Sequence, residues 1–373
     1  MVMAATTDTG SALRRSAGST AGFAVAMGIG RFVYTPILPV MSVALAMPTS
    51  HGSWIAAANY LGYLLGSGML TRRPDWTTAT VLRVGLVATV VLLAGMPLVH
   101  ALPWFLLLRL LAGVASAMVF VCLAHGVPEL EERGGSAGLA FAGVGAGIAL
   151  SGVAVGLAAS AVSASWTLLW LVAAAGAALL TPVAWRVPVP ASEPRTGRAG
   201  RVPGHRRLSL SYLFEGIGYI IIGTYLVALV AESTGAQDAT WVWVVAGLAA
   251  VPSPVLWAAV SRRVGLTTAL TGAYVLQILA AVLPVAVGGV AGGYLGAALF
   301  GATFMGITQM TMARARQLGI GAAAAGLTLV YALGQLLGPL IVAVLPAGGY
   351  GPAFLVAAVI LGGATVLTVT GRN

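Results

Sequence analysis

Long apolar runs alternate with short polar breaks along this chain. The runs fall at residues 18–46, 52–71, 79–98, 102–124, 137–160 and 164–185, and again at 209–231, 239–260, 266–287, 290–312, 320–345 and 351–370. Each is close to or above the roughly 20 apolar residues an α-helix needs to cross a bilayer. The pattern predicts an all-α membrane protein of twelve spans, six on each side of one long polar segment. That segment, from Arg186 to Arg207, is rich in Pro, Gly and Arg and reads as a flexible linker. The expected organisation is an N-terminal six-helix half over 1–185, a linker over 186–208 and a C-terminal six-helix half over 209–373.

Composition sharpens this reading. Of 373 residues, 59% are hydrophobic and 8% charged, and the mean hydropathy is +0.97. An ordinary soluble domain carries roughly 25% charged residues, and no water-soluble globule hides so much apolar surface. The net charge of +10 would point to nucleic acid in a soluble chain. Here all 19 basic residues are Arg, placed singly or in pairs, and their positions follow topology, so no nucleic-acid partner is expected. Twelve consecutive spans force the loops to alternate sides. Arg14, Arg15, Arg72, Arg73, Arg83, Arg133, the linker arginines, Arg262, Arg263, Arg314, Arg316 and Arg372 then share one side, and the opposite loops carry only His51, His100, Glu232 and Asp238. By the positive-inside rule both termini and the linker are cytoplasmic.

A signal peptide is a poor account of the N-terminus, although Arg14-Arg15 precede an apolar stretch and Ala44-Leu45-Ala46 imitates a cleavage site. The stretch is too long for a signal core and contains Arg31. The single cysteine, Cys122, allows no intrachain disulfide and no cysteine metal cluster.

The two sets of six also repeat. Gly28-Ile29-Gly30 in the first span matches Gly216-Ile217-Gly218 in the seventh at an offset of 188 residues, and the same offset links Gly113 to Gly301. Arg72-Arg73 match Arg262-Arg263 at an offset of 190. A near-constant offset indicates an internal duplication in parallel orientation, as in the halves of some secondary transporters.

Four local signatures accompany this layout: Gly28-Ile-Gly-Arg-Phe-Val-Tyr-Thr-Pro-Ile-Leu-Pro39, Phe214-Glu-Gly-Ile-Gly-Tyr219, Phe304-Met-Gly306 and Gly334-Gln-Leu-Leu-Gly-Pro339. With them the chain resembles the major facilitator superfamily (MFS) and, within it, the YbfB/YjiJ-type bacterial family. The resemblance implies a secondary transporter of the bacterial cytoplasmic membrane that cycles between inward-open and outward-open states. Arg109-Leu-Leu-Ala-Gly113 fits the Arg-x-x-x-Gly core of the superfamily's fourth-helix motif, whose Arg is associated with proton coupling in antiporters. The loop motif after the second span usually carries an Asp before its basic residues. Gly68-Met-Leu-Thr-Arg-Arg73 lacks it, as does Ser261-Arg-Arg-Val-Gly265, which puts a latch built on that Asp in doubt. The Gly-Pro ending of the antiporter fifth-helix motif is missing from Gly143–Gly152, which weakens an inference of efflux.

Ionisable side chains at membrane depth are costly and are by default functional candidates. Three qualify: Arg31, Arg109 and Glu215. The repeat places Glu215 at the position of Met27, one helical turn from Arg31 on the same face. Arg31 and Glu215 are therefore expected on corresponding faces of the first and seventh helices, about 6 Å apart in depth. In the functional reading the two arginines provide a positive field for an anionic substrate, and Glu215 carries a coupling proton. In the structural alternative, Glu215 and one Arg form a fixed buried ion pair. Tyr34, Asn59, Tyr219, Gln309 and Gln335 are candidates for lining the pathway, or equally for hydrogen-bonding neighbouring helices. Pro36 and Pro39 are expected to kink the first span.

Other apparent motifs are read structurally. Gly134-Gly-Ser-Ala-Gly138 imitates a nucleophile elbow, yet no strand precedes it, so Ser136 is read as a helix-start residue. The glycines at 143, 145 and 147 read as a helix-packing face. A P-loop requires Lys, and the chain has none. His125 and Glu129 are two groups only, at a solvated helix end beside Glu131, Glu132 and Arg133, and make a poor metal site. The sequence thus predicts no enzyme, catalytic residue, metal or cofactor. It predicts a monomeric transporter embedded in the lipid bilayer, moving a small organic solute by alternating access with protons as the coupling partner. An organic anion or amphiphilic metabolite is favoured. The alternatives are a multidrug-type antiporter exporting lipophilic cations and, from another class, a non-transporting membrane sensor.

Overall fold

The computed structural model describes residues 9–161, 165–191, 204–318, 324–346 and 349–370, and within them the regular structure is helical throughout. Most of the expected linker, Arg372 and the first eight residues lie outside the described residues. The helices are α1 (Thr9–Phe23), α2 (Tyr34–Ala44), α3 (Thr49–Arg72), α4 (Ala79–Gly95), α5 (Leu102–Glu132), α6 (Ala137–Ala161) and α7 (Trp166–Ala184). They continue with α8 (His205–Thr234), α9 (Ala236–Ala250), α10 (Ser253–Val264), α11 (Leu266–Ala286), α12 (Gly289–Gln317), α13 (Ala324–Val344) and α14 (Gly351–Val369).

The first apolar run is one span, Ser11–Ala44, but its hydrogen-bond ladder is altered midway. After α1 the chain makes a π-helical segment, Ala24–Ile29, with five-residue bonds from Gly30 N to Val25 O (2.7 Å) and Phe32 N to Met27 O (3.1 Å). A turn at 30–33 follows before α2 begins, with Gly30 and Val33 still in the right-handed helical region and Val33 N bonded to Ile29 O at 3.1 Å. The alteration lies upstream of the prolines expected to cause it. Pro36 has no N–H, so Phe32 O loses its helical donor and accepts from Thr35 N at 3.1 Å instead. The eighth run, expected to be continuous over 239–260, is also two helices: α9 and α10 are bent by 47°. Pro252 and Pro254 sit at that break, each removing a ladder donor.

Among the described residues ten helices are long and apolar enough to cross a membrane, or eleven with the bent pair taken as one span. The remaining run of the expected twelve is α3, which has 24 residues, long enough at 1.5 Å per residue. It is less apolar because its buried face carries Ser53, Asn59, Tyr60, Tyr63 and Ser67. Those polar groups point into the protein and not into lipid, so average hydropathy understates this helix. Elsewhere large apolar side chains such as Leu98, Leu179 and Val359 clothe the outer surface.

Within residues 9–184 the strongest packing is of α5 against α3 and α4, of α1 and the π segment against α6, and of α4 against α7. Within residues 205–369 it is α8 against α13 and α14, α11 against α12 and α14, and α9 against α12. Between these sets α6 lies along α9, α3 along α13, and α2 against α8. The duplicated glycines make corresponding contacts in each set. A Cβ on Gly28 would lie 2.5 Å from Gly147 Cα of α6, and one on Gly216 would lie 2.6 Å from Tyr331 O and 3.2 Å from Gly334 Cα of α13. A Cβ on Gly113 would lie 2.0 Å from Asn59 O, and one on Gly301 would lie 2.1 Å from Ala246 O. These are backbone-to-backbone approaches that only a small residue permits. The glycines of α6 act likewise: Gly143 and Gly147 face the first run, and Gly145 faces Val251. Ser136 accepts from Leu139 N–H at 3.3 Å, the contact of a helix-start residue.

Gly113→Val should therefore lower the unfolding temperature of the detergent-purified protein, with a cost of about 1–3 kcal/mol from overpacking. Gly272→Ala is the control, because a Cβ there meets nothing within 4 Å, and it should leave the temperature unchanged.

Candidate functional site

The site grows from the break in the first run. With Thr35 N–H turned to Phe32 O, the carbonyl of Arg31 has lost its helical donor, and a bare carbonyl in hydrocarbon costs several kcal/mol. Arg109 of α5 supplies the replacement: Nη1 donates to Gly30 O (3.2 Å) and Nη2 to Arg31 O (3.1 Å). Its guanidinium carbon lies 5.2 Å from the Tyr34 ring centre and 5.7 Å from that of Trp170. Asn59 Nδ2 donates to Arg109 O at 3.0 Å and so ties α3 to α5, while Tyr34 donates its hydroxyl to Gly52 O at 2.9 Å. Arg109, Asn59 and Tyr34 are thus engaged with backbone carbonyls.

Arg31 is different. It sits in the turn at 30–33, 1% exposed, with its guanidinium 4.2 Å from the Tyr63 ring centre and 4.7 Å from that of Tyr60. Nη2 donates to Gln335 Oε1, and Nε and Nη1 have no partner. A guanidinium has two edges of parallel N–H donors, which share Nη2. Whichever edge Gln335 uses, the other remains a complete fork of the shape that accepts a carboxylate. Gln335 Nε2 donates in turn to the Tyr219 hydroxyl at 2.6 Å. Positions 31 and 219 stand 188 apart, the offset of the repeat, so one amide of α13 bridges two repeat-equivalent side chains. Gly334 and Gly338, on either side of Gln335 in α13, allow this: a Cβ on either would strike α8, at Leu213 O (2.4 Å) and Ile220 Cγ2 (2.3 Å).

Glu215, fully buried in α8, lies one turn from Tyr219. Its Oε1 accepts from Gln277 Nε2 of α11 at 2.9 Å, and its Oε2 has no partner. The ion pair between Glu215 and an arginine, one of the two readings of the sequence, is not made. The ion pairs among the described residues are Arg73–Asp75 and Arg133–Glu129, both near the arginine-bearing face. Asp75 follows the loop motif instead of preceding its arginines. It is held below the usual carboxylate range by the hydrogen bonds from Arg73, at 3.2 and 3.1 Å. This contact stays within one exposed loop and latches nothing across the molecule.

Gln309 is not brought to this cluster. It is exposed on α12, on the same outer stripe as exposed Leu295 two heptads earlier. Tyr219 is, and its ring lies nearly parallel to those of Tyr331, Phe304 and Phe300, at 5.2, 5.9 and 6.3 Å between centres. Sequence reasoning missed Tyr60, Tyr63, Gln277 and Tyr331. The pair on α3 carried a signal in its i, i+3 spacing, and Gln277 carried the one used for Gln335, an amide inside an apolar run.

A multi-helical membrane protein with a first run altered midway, a bent eighth run, packed glycine seams and buried ionisable groups is the architecture of a membrane transporter, and comparison with solved structures agrees. A crystal structure of the nucleoside transporter NupG superposes with a TM-score of 0.73 at 12% identity, covering 97% of this chain and all (100%) of that one. A bacterial homologue of the human lysosomal transporter Spinster, inward-facing and occupied, gives 0.66 at 14% identity over 97% and 96% of the two chains. A bacterial homologue of the iron transporter ferroportin, inward-facing, gives 0.64 at 16% over 96% and 98%. These likenesses establish the MFS fold. Residues 23–369 match the family described as "Uncharacterised MFS-type transporter YbfB", and the chain belongs to that family. It is a multi-pass membrane transporter of small solutes and not an enzyme. The comparison with curated proteins gave no match.

The two arginines should part company on substitution. Arg109→Met strands the carbonyls of Gly30 and Arg31, each worth about 1–3 kcal/mol, and should lower the unfolding temperature in detergent markedly. Arg31→Met strands only Gln335 Oε1 while removing a buried charge with no counter-charge, and should leave the temperature unchanged or raised.

Proposed function

We propose that this protein is a proton-coupled secondary transporter of small organic anions in the bacterial cytoplasmic membrane. It would have twelve spans, with both termini and the linker 186–208 on the cytoplasmic side, and would act as a monomer. Two six-helix halves, 1–185 and 209–373, rock about a central pathway, with no cofactor beyond the proton gradient. The observation that carries the anion reading is Arg31, a buried cation with an unused donor fork and no carboxylate in contact. A substrate carboxylate supplies the missing counter-charge, and Tyr60 and Tyr63 hold the guanidinium plane so that its free edge is presented in a fixed direction. Arg109 positions Arg31 by holding the carbonyls of the turn that carries it. Tyr219 and Gln335 share in ligand recognition, and Glu215 carries the coupling proton. The named cargoes of the structural neighbours, a nucleoside and iron, differ so widely that the fold does not select a substrate; the site has to.

The rival, export of lipophilic cations, draws on the unpaired Glu215 Oε2 and Gln277 Oε1, which are acceptors open to a cationic group. It leaves Arg31 uncompensated and repelling the cargo, and for that reason the anion reading is preferred.

Purified protein should be protected against thermal unfolding by members of an organic-anion panel, a ligand at a hundred times its Kd adding about 2.7 kcal/mol, and Arg31→Ala should abolish that protection. Protection by lipophilic cations that is lost in Glu215→Gln would replace this reading with the rival. In proteoliposomes, Glu215→Gln should abolish anion accumulation driven by a proton gradient while sparing exchange of labelled for unlabelled anion. Loss of both at normal protein levels would assign Glu215 to binding or structure.

A further inference from the structure

Among the buried oxygens without a partner in the C-terminal set of helices, two belong to the two side chains of one hydrogen-bonded pair. Gln277 Nε2 donates to Glu215 Oε1 at 2.9 Å. The unused atom of the carboxyl group is Oε2, and the unused atom of the carboxamide is Oε1. Both residues are 0% exposed, so bulk water reaches neither. Buried acceptors of this kind are costly when unmatched, and two on a carboxyl and a carboxamide already joined by one hydrogen bond have a common remedy. One proton on Glu215 Oε2 would donate to Gln277 Oε1. The two parallel bonds, N–H to O=C and O–H to O=C, would then close an eight-membered ring in which every polar atom is paired.

We propose that Glu215 and Gln277 form an acid–amide ring that stores one proton, with Gln277 as the positioning residue that makes the carboxyl of Glu215 a reversible proton carrier. The ring rests on the reading of Glu215 as the coupling site and adds the partner that reading lacked. When the proton is bound, both hydrogen bonds hold the pair neutral in its dry setting. When the pair is opened to one face, the proton leaves Oε2 for water, the amide keeps its single donation to the carboxylate, and the Gln277 oxygen is freed. No charged side chain among the described residues contacts the pair. The titratable groups nearby are tyrosines: Tyr212 and Tyr219 one turn to either side on α8, Tyr274 on α11 and Tyr331 on α13. Arg314 and Arg316 are confined to the last turn of α12, Asp238 to the first turn of α9, and α14 has no titratable residue. Ser211 and Tyr274 form the next rung between the same two helices, at 3.3 Å, and keep α8 and α11 in register. In the first set the positions 188 residues earlier, Met27 and Thr89, hold no such pair, so the proton site is a property of one side of the molecule.

Infrared difference spectroscopy of the purified full-length protein at neutral pH reads this without any knowledge of the substrate. The wild type should show a carboxylic-acid C=O stretching band that is lost in Glu215→Gln. In Gln277→Leu the band should shift to higher frequency as the acid loses its acceptor, and Gln277→Met, similar in length to the native side chain, should reproduce the shift if the leucine variant does not fold. Absence of a wild-type acid band assignable to Glu215 at neutral pH overturns the proposal, and so does a band unmoved by both Gln277 substitutions. A band that behaves as expected in a protein whose anion uptake ignores the proton gradient would leave the ring standing and remove only its coupling role.

Discussion

A backbone carbonyl cannot be left bare inside a membrane, and the interior of this protein is arranged around one place where the helical ladder gives up that bond. At residues 30–33 the first run forms a turn with an incomplete ladder, because Pro36 removes a donor and Thr35 N–H moves to Phe32 O. Residues 30–33 are buried away from bulk water, so the defect has to be mended from within the protein. Arg109 mends it from α5 with two donors of its fork, and its own main chain is held by Asn59 of α3. Three segments are thereby locked together by the repair of one turn, and the turn projects Arg31 into the middle of the molecule. The altered turn carries Arg31 of the candidate site, and Arg109 holds that turn in place.

The glycine seams make such an arrangement possible. Without a hydrophobic drive between helices in lipid, close backbone contact has to supply the packing energy. Gly28 against Gly147, Gly216 against Gly334, and Gly113 against the Asn59 carbonyl bring main chains together in both sets of helices. The same tight approach of α13 to α8 places Gln335 where it touches Arg31 and Tyr219 at once. The near-parallel rings of Tyr331, Phe304 and Phe300 then brace Tyr219, so that a polar bridge is held by apolar contacts.

Much of this was legible in the chain itself. Intramembrane charge singled out Arg31, Arg109 and Glu215 as candidates, because burying an ionisable group is costly. The repeat offset anticipated the corresponding glycine contacts, because a close approach of two helices demands the same small residue wherever it recurs. The partners were harder to read. Arg109 engages two carbonyls whose availability depends on a break some 78 residues away in the sequence, and periodicity carries no record of which ladder bonds fail. Gln309 and Gln335 look alike in the sequence, as amides inside apolar runs. One faces outward and the other bridges two helices, a difference set by the rotation of each helix against its neighbours.

The sequence by itself determined that this is a polytopic helical membrane protein with an internal repeat, and which of its ionisable side chains lie inside the apolar runs. These conclusions rest on transfer energies and on spacing, which are properties of residues and short segments. Only the tertiary structure decided that Arg109 holds backbone while Arg31 keeps a free fork, that Glu215 pairs with Gln277 and not with an arginine, and where the ladder of the first run alters and the eighth run bends. A hydrogen bond is a matter of a few tenths of an ångström between atoms that may lie 304 residues apart, as in Arg31 and Gln335. Such distances are set jointly by every helix contact in between.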